Sequence, residues 1–244
     1  MNVDLEQPSR REAAKSERRD SIVSAAAGLV REVGFDAVTM TQIAERAGVA
    51  PATLYNLFKT KRLIFQRVFD RDLEDFENRI ANLKSDNGVE RIFAAIEMAS
   101  SLYNREPDFY RALARGGSLQ VTVATSPAEP RKIFWQNMVA DSVADGGLVH
   151  QTNARVLGTT LAQLMRGVFL DWVNRTITAE QLNYEASFGF ALILLTHASD
   201  RSKPRLKERV EFYRSKLGQG DLGMNAVTSS NKPEDLPNRK NLRR

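Results

Sequence analysis

Ala52, Thr53, Tyr55, Asn56 and Lys59 lie within one short stretch, and their chemistry is that of contact rather than bond making. Leu54, Leu57 and Phe58 recur at the three- and four-residue spacing of one helix face, which leaves the first five on the other. A short helix showing small and hydrogen-bonding side chains, with a lysine at its end, suits a major groove about 12 Å wide and reaches base edges there. No acidic residue, which phosphate would repel, occurs from Gly48 through Phe69. Catalytic sets are missing by comparison. There are two histidines, His150 and His197, and no cysteine, so thiolate nucleophiles, thiolate metal sites and disulfides are excluded. No GxSxG elbow, Walker loop, GxGxxG or HExxH is present. The sequence reads as a non-enzyme that needs no cofactor.

Several elements must hold that face in place. Thr39 and Gln42 have the spacing of a capping box, which starts a helix at Met40. Ile43, Ala44 and Ala47 give that helix an apolar side, Gly48 supplies a positive φ to stop it, and Val49 plugs the turn. Pro51 then occupies a favourable first position of the next helix. Upstream, Ile22, Ala26, Leu29, Val30 and Val33 form a helical stripe closed by Gly34. Downstream, a long fourth helix runs from near Thr60 to the Asp86-Asn87-Gly88 break. Its apolar positions include Ile64, Phe65, Val68, Phe69, Leu73 and Phe76. Later breaks at Pro107, Thr125-Ser126-Pro127, Asp145-Gly146-Gly147, Thr176-Ile177-Thr178 and Ser202-Lys203-Pro204 give ten helices and no sheet. The expected architecture is all-α: a three-helix helix-turn-helix head at 18–65 joined to a larger helical ligand-binding and dimerisation domain at 66–217. A flexible arm at 1–17 and a disordered tail at 218–244 flank them.

Charge agrees with a head that meets a polyanion. The formal net charge is +5, and residues 10–67 hold eleven Lys/Arg against six Asp/Glu, so the rest of the chain sums to zero. Arg10, Arg11, Lys15, Arg18 and Arg19 suit an arm that reaches a minor groove, but acidic neighbours at 12, 17 and 20 favour a solvated one. The longest apolar run, Phe188 to Leu195, is far short of the roughly 20 residues of a membrane span, and the polar N-terminus shows no secretory signal. The expected location is the bacterial cytoplasm, at the nucleoid when DNA is bound.

In combination, Ile22 to Phe35, Thr39 with Ile43-Ala44, Ala47-Gly48-Val49, Thr53-Leu54-Tyr55, Phe58, and Lys59 and Lys61 resemble the TetR family of regulators. The resemblance covers residues 18–70 and continues only as helical pattern and length. It implies phosphate contacts by Thr39, Thr41, Tyr55, Lys59 and Lys61, and base contacts by Ala52, Thr53 and Asn56. Plainer roles stand beside these: Thr39 as a cap, Tyr55 packed on the first helix, and the lysines with Arg62 as a solvated face. Ala50 departs from the family, which usually places a serine-like cap there. The resemblance further implies a homodimer through the last two long helices, here 153–175 and 179–199. Phe109, Tyr110, Trp135, Met138, Met165 and Phe169 are candidates for an apolar ligand pocket. Gln163 and Arg166 would fix a polar ligand group or pair across the dimer seam. The expected function is a repressor released from a palindromic double-stranded operator by a small hydrophobic ligand. The alternative is a chromosome-organising DNA-binding protein without an inducer.

Overall fold

Thr39 accepts the backbone N–H of Gln42 while the Gln42 side chain accepts that of Thr39, and this capping box starts α2 (Met40–Arg46) at the expected residue. The computed structural model describes residues 10–83, 87–115 and 130–224. The first nine residues, the Thr125-Ser126-Pro127 break and everything beyond Met224 lie outside them. Before α2 comes α1 (Arg10–Ala37), with a non-helical Gly34 near its end. After α2, Gly48 takes a φ of 66°, where a side chain would be strained, and the chain turns into α3 (Pro51–Leu57). The long α4 (Lys61–Ala81) begins at the Thr60 cap, whose hydroxyl accepts the Leu63 amide.

The body adds α5 (Gly88–Arg105), α6 (Pro107–Leu113), α7 (Pro130–Ala144), α8 (Ala154–Val173), α9 (Ala179–Leu195) and α10 (Lys203–Met224). All ten named elements are helices, as the breakers required, and one isolated bridge joins Leu148 and Ala198. A Cβ on Gly158 of α8 would lie 2.5 Å from the Gln136 Cα of α7, so glycine lets these two helices approach at backbone distance. A second capping box, Thr178 with Gln181, starts α9. One apolar core runs from the head (Ile22, Ile43, Leu54, Ile64, Phe65) into the body (Ile96, Trp135, Leu161, Trp172, Phe190).

Three sequence expectations shift. Helix α1 starts at Arg10, so residues 10–17 are helical rather than a loose arm. Ala13 and Ala14 beside Glu12, Lys15 and Glu17 are good helix formers, which accounts for the extension. Helix α10 likewise continues past Leu217 to Met224. Finally, α9 is not the last long helix. It is flanked by α5, α8 and α10, and Phe190, Ala191 and Leu194 are buried within one chain. Its nearly all-round apolar character is thus largely satisfied before any partner arrives. Arg209 of α10 pairs with Glu90 of α5 and lies 4.2 Å from the Phe93 ring centroid, which fastens this extra helix to the body.

Candidate nucleic-acid interface and body cavity

The head presents α3 outward. Leu54 and Phe58 are buried beneath it, while Ala52, Tyr55, Asn56 and Lys59 are exposed and Thr53 is half-buried. Tyr55 is 50% exposed, so its ring is not consumed by packing on α1. Thr39 and Thr41 are exposed at the start of α2, on either side of its first residue. Ala50 makes no side-chain cap to α3, and Pro51 occupies its first turn, the departure noted from the sequence. Arg46 bonds Glu32 at 2.6 Å and ties α2 to α1; that ion pair is exposed and holds the Glu32 carboxyl below its ordinary value. Lys61 differs from its neighbours. Its Nζ donates to the carbonyls of Phe35 at 2.6 Å and Val38 at 2.7 Å, and it sits 4.2 Å from the Phe35 ring centroid.

In the body, a cavity of about 60 Å³ lies between five helices. Phe69, Asp72, Leu73 and Phe76 come from α4; Ala99, Leu102 and Tyr103 from α5; and Tyr110 from α6. The remaining wall is Arg131, Phe134 and Trp135 of α7 with Met165 of α8. Tyr110 donates its hydroxyl to Asp72 at 3.2 Å. Burial pushes the Asp72 carboxyl up, opposed by that hydrogen bond and by the Arg31 charge. Burial also pushes the Tyr103 phenol up to about 12. Burial pushes the Tyr110 phenol up as well, so both phenols are neutral at physiological pH.

Tyr110, Trp135 and Met165 are the sequence candidates that reach this cavity. Phe109, Met138 and Phe169 are buried elsewhere in the core, Phe169 with its ring centroid 4.9 Å from that of Tyr103. Gln163 and Arg166 are exposed, because they fall on the side of α8 away from buried Leu161, Met165 and Val168. The reading of single helices missed Asp72, Tyr103 and Arg131. Asp72 interrupts the apolar stripe of α4 between Phe69 and Phe76, and that interruption was the available signal.

Head and body meet along two seams. Helix α1 packs on α4, and it also packs on α6, where Arg31 pairs with Glu106 and its guanidinium lies 3.8 Å from the Phe109 ring centroid. His197 bonds Thr152 across 3.4 Å between the α7–α8 and α9–α10 connections, a structural use of an imidazole.

A helix-turn-helix head with an exposed second helix, set on a helical body, is an architecture suited to placing one helix in a DNA major groove. Residues 22–68 match the family described as bacterial regulatory proteins, tetR family, which places the head, about a fifth of the chain, with that family's N-terminal domain. The chain is 32% identical over 102 residues to the HTH-type transcriptional repressor KstR of Rhodococcus jostii, a match spanning 42% of this chain and 48% of that protein. Among solved structures it shares the fold of a TetR transcriptional regulator from Rhodococcus sp. RHA1. That likeness has a TM-score of 0.63 and 23% identity, covering 75% of this chain and 98% of that one. Thermus thermophilus FadR, a repressor solved in complex with lauroyl-CoA, matches with a TM-score of 0.60 at 22% identity over 72% of this chain and 93% of that one.

Proposed function

We propose that two copies of this chain form a repressor that holds a palindromic operator and is released by a small hydrophobic ligand. The observation that carries the reading is the exposed, acid-free face of α3 above buried Leu54 and Phe58. In this reading Ala52, Thr53 and Asn56 face bases, while Thr39, Thr41, Tyr55 and Lys59 contact phosphates. Two-fold symmetry is supported by apolar side chains left outward on α8 and α9: Val156 is 61% exposed and Leu192 is 40% exposed. Gln163 and Arg166 lie outward on α8, at positions suited to pairing across that seam.

The ligand enters among α4, α5, α6, α7 and α8. The aromatic lining favours a lipophilic molecule, and the lauroyl-CoA complex of FadR supports an acyl derivative as one such class. At about 60 Å³ the cavity is small against the roughly 300–1,000 Å³ of pockets that hold drug-sized ligands, so binding must part its walls. Two of those walls, α4 and α6, contact α1 of the head. Parting them moves one head relative to the other, and recognition helices must sit about 34–36 Å apart to enter successive major grooves. A ligand acts this way only through its preference for the released arrangement.

Genome-wide occupancy measured with and without metabolite extract tests the proposal. A repressor of this kind occupies a few sites sharing an inverted repeat and leaves them when extract is added. Occupancy of many unrelated sites, indifferent to extract, would instead identify a chromosome-organising protein.

A further inference from the structure

Lys61 is the first residue of α4, and its side chain turns toward the junction of α1 and α2. In a helix continued from α1, the amide of Thr39 would serve the Phe35 carbonyl and the amide of Gln42 would serve that of Val38. Both amides are spent inside the capping box: Thr39 N–H donates to the Gln42 side chain at 2.8 Å, and Gln42 N–H to the Thr39 hydroxyl at 3.2 Å. The capping box that starts α2 thereby deprives two carbonyls of their helical donors, and these are the two to which Lys61 Nζ donates. Val38 itself is buried, and the Phe35 ring packs edge-on to Phe65 at 4.9 Å between centroids.

We propose that Lys61 is a positioning residue for DNA recognition: its ammonium locks the α1–α2 junction and sets the pose of α2 and α3, instead of neutralising a phosphate. Two of its three N–H donors are committed to backbone, and the charge rests over an aromatic ring. Partial burial, which lowers its pKa, agrees with an interior post; the nearby Asp36 carboxylate acts in the opposite direction. Lys59, two residues earlier, is exposed and remains the phosphate candidate of this segment.

The inference rests on the DNA-binding reading. The test uses the full chain, a duplex that the wild type selects from a random pool, and a random-sequence duplex of equal length. Lys61→Met removes donors and charge, and Lys61→Gln removes the charge but keeps two N–H donors on a side chain one bond shorter. The expected result is a loss of about tenfold or more on the selected duplex for Lys61→Met, with part of it recovered in Lys61→Gln. On the random duplex, both variants should keep the wild-type dependence of log affinity on log salt to within about 0.3, well under the roughly 0.9 carried by one phosphate contact. A slope reduced by about 0.9 in both variants, with both duplexes weakened alike, would overturn the positioning role in favour of a phosphate contact. Unchanged selected-duplex affinity in Lys61→Met would overturn it in favour of a purely local bond. Should Lys61→Met fail to fold, Lys61→Gln still decides through its salt slope. A wild type that selects no duplex removes the DNA-binding reading itself, and this inference with it.

Discussion

Asn56 lies exposed on the outer face of α3 with one acceptor and two N–H donors, the set that pairs bidentately with adenine in a major groove. Replacing it with alanine should relax one base position of each half-site at a cost of about 1–3 kcal/mol, read from a panel of single-base operator variants. Unaltered preferences at every position would remove Asn56 from base readout. Ala50 offers the opposite experiment, because it caps α3 without any side-chain acceptor. Ala50→Ser should stabilise the head by about 1 kcal/mol, measured by denaturant unfolding, and no gain would mean that Pro51 already supplies what a cap provides. These residues were legible because the helix periodicity around Leu54 and Phe58 alone decides which side chains of α3 face out. Lys61 was not, since its partners lie 26 and 23 residues away and only the folded turn brings them together.

Helices were legible where a local signal marks their ends. Thr39 with Gln42, Gly48 and Pro51 defined the turn residue by residue, because capping and positive φ are local demands. The cavity was not legible, since it is made of one wall from each of five helices and no single stripe shows which residues converge. Asp72 of α4 is its most consequential member. Burial raises its pKa above the ordinary 3.8, with the Tyr110 hydrogen bond and Arg31 acting against that shift. A carboxyl whose folded pKa exceeds its unfolded value binds more protons when folded, so its contribution to stability falls as pH rises from about 3.8 upward. Asp72→Asn, which still offers Tyr110 an acceptor, should therefore raise the melting temperature at neutral pH and raise it less below pH 3.8. A melting temperature lowered at neutral pH, or a difference independent of pH, would show that the charge is stabilising where it sits.

At the scale of the molecule, a protomer buries one face of α9 by itself, so the proposed dimer would rest on what α8 and α9 leave outside, including Val156 and Leu192. A charge at such a site remains unpaired when the faces close. Leu192→Glu should weaken the dimer by about tenfold or more while the helical circular dichroism stays intact, with oligomeric mass followed by sedimentation against concentration. A variant as dimeric as the wild type would place the seam elsewhere. The two-fold arrangement joins the α3 face, the outward α8 and α9 residues and the cavity into one account. It is tested most directly by selecting bound duplexes from a random pool and weighing the resulting complex. The account predicts an inverted repeat whose half-sites are about 34–36 Å apart, or a multiple of that, with two chains bound per repeat. A selected pool without two-fold symmetry, or a complex holding a single chain, would contradict it.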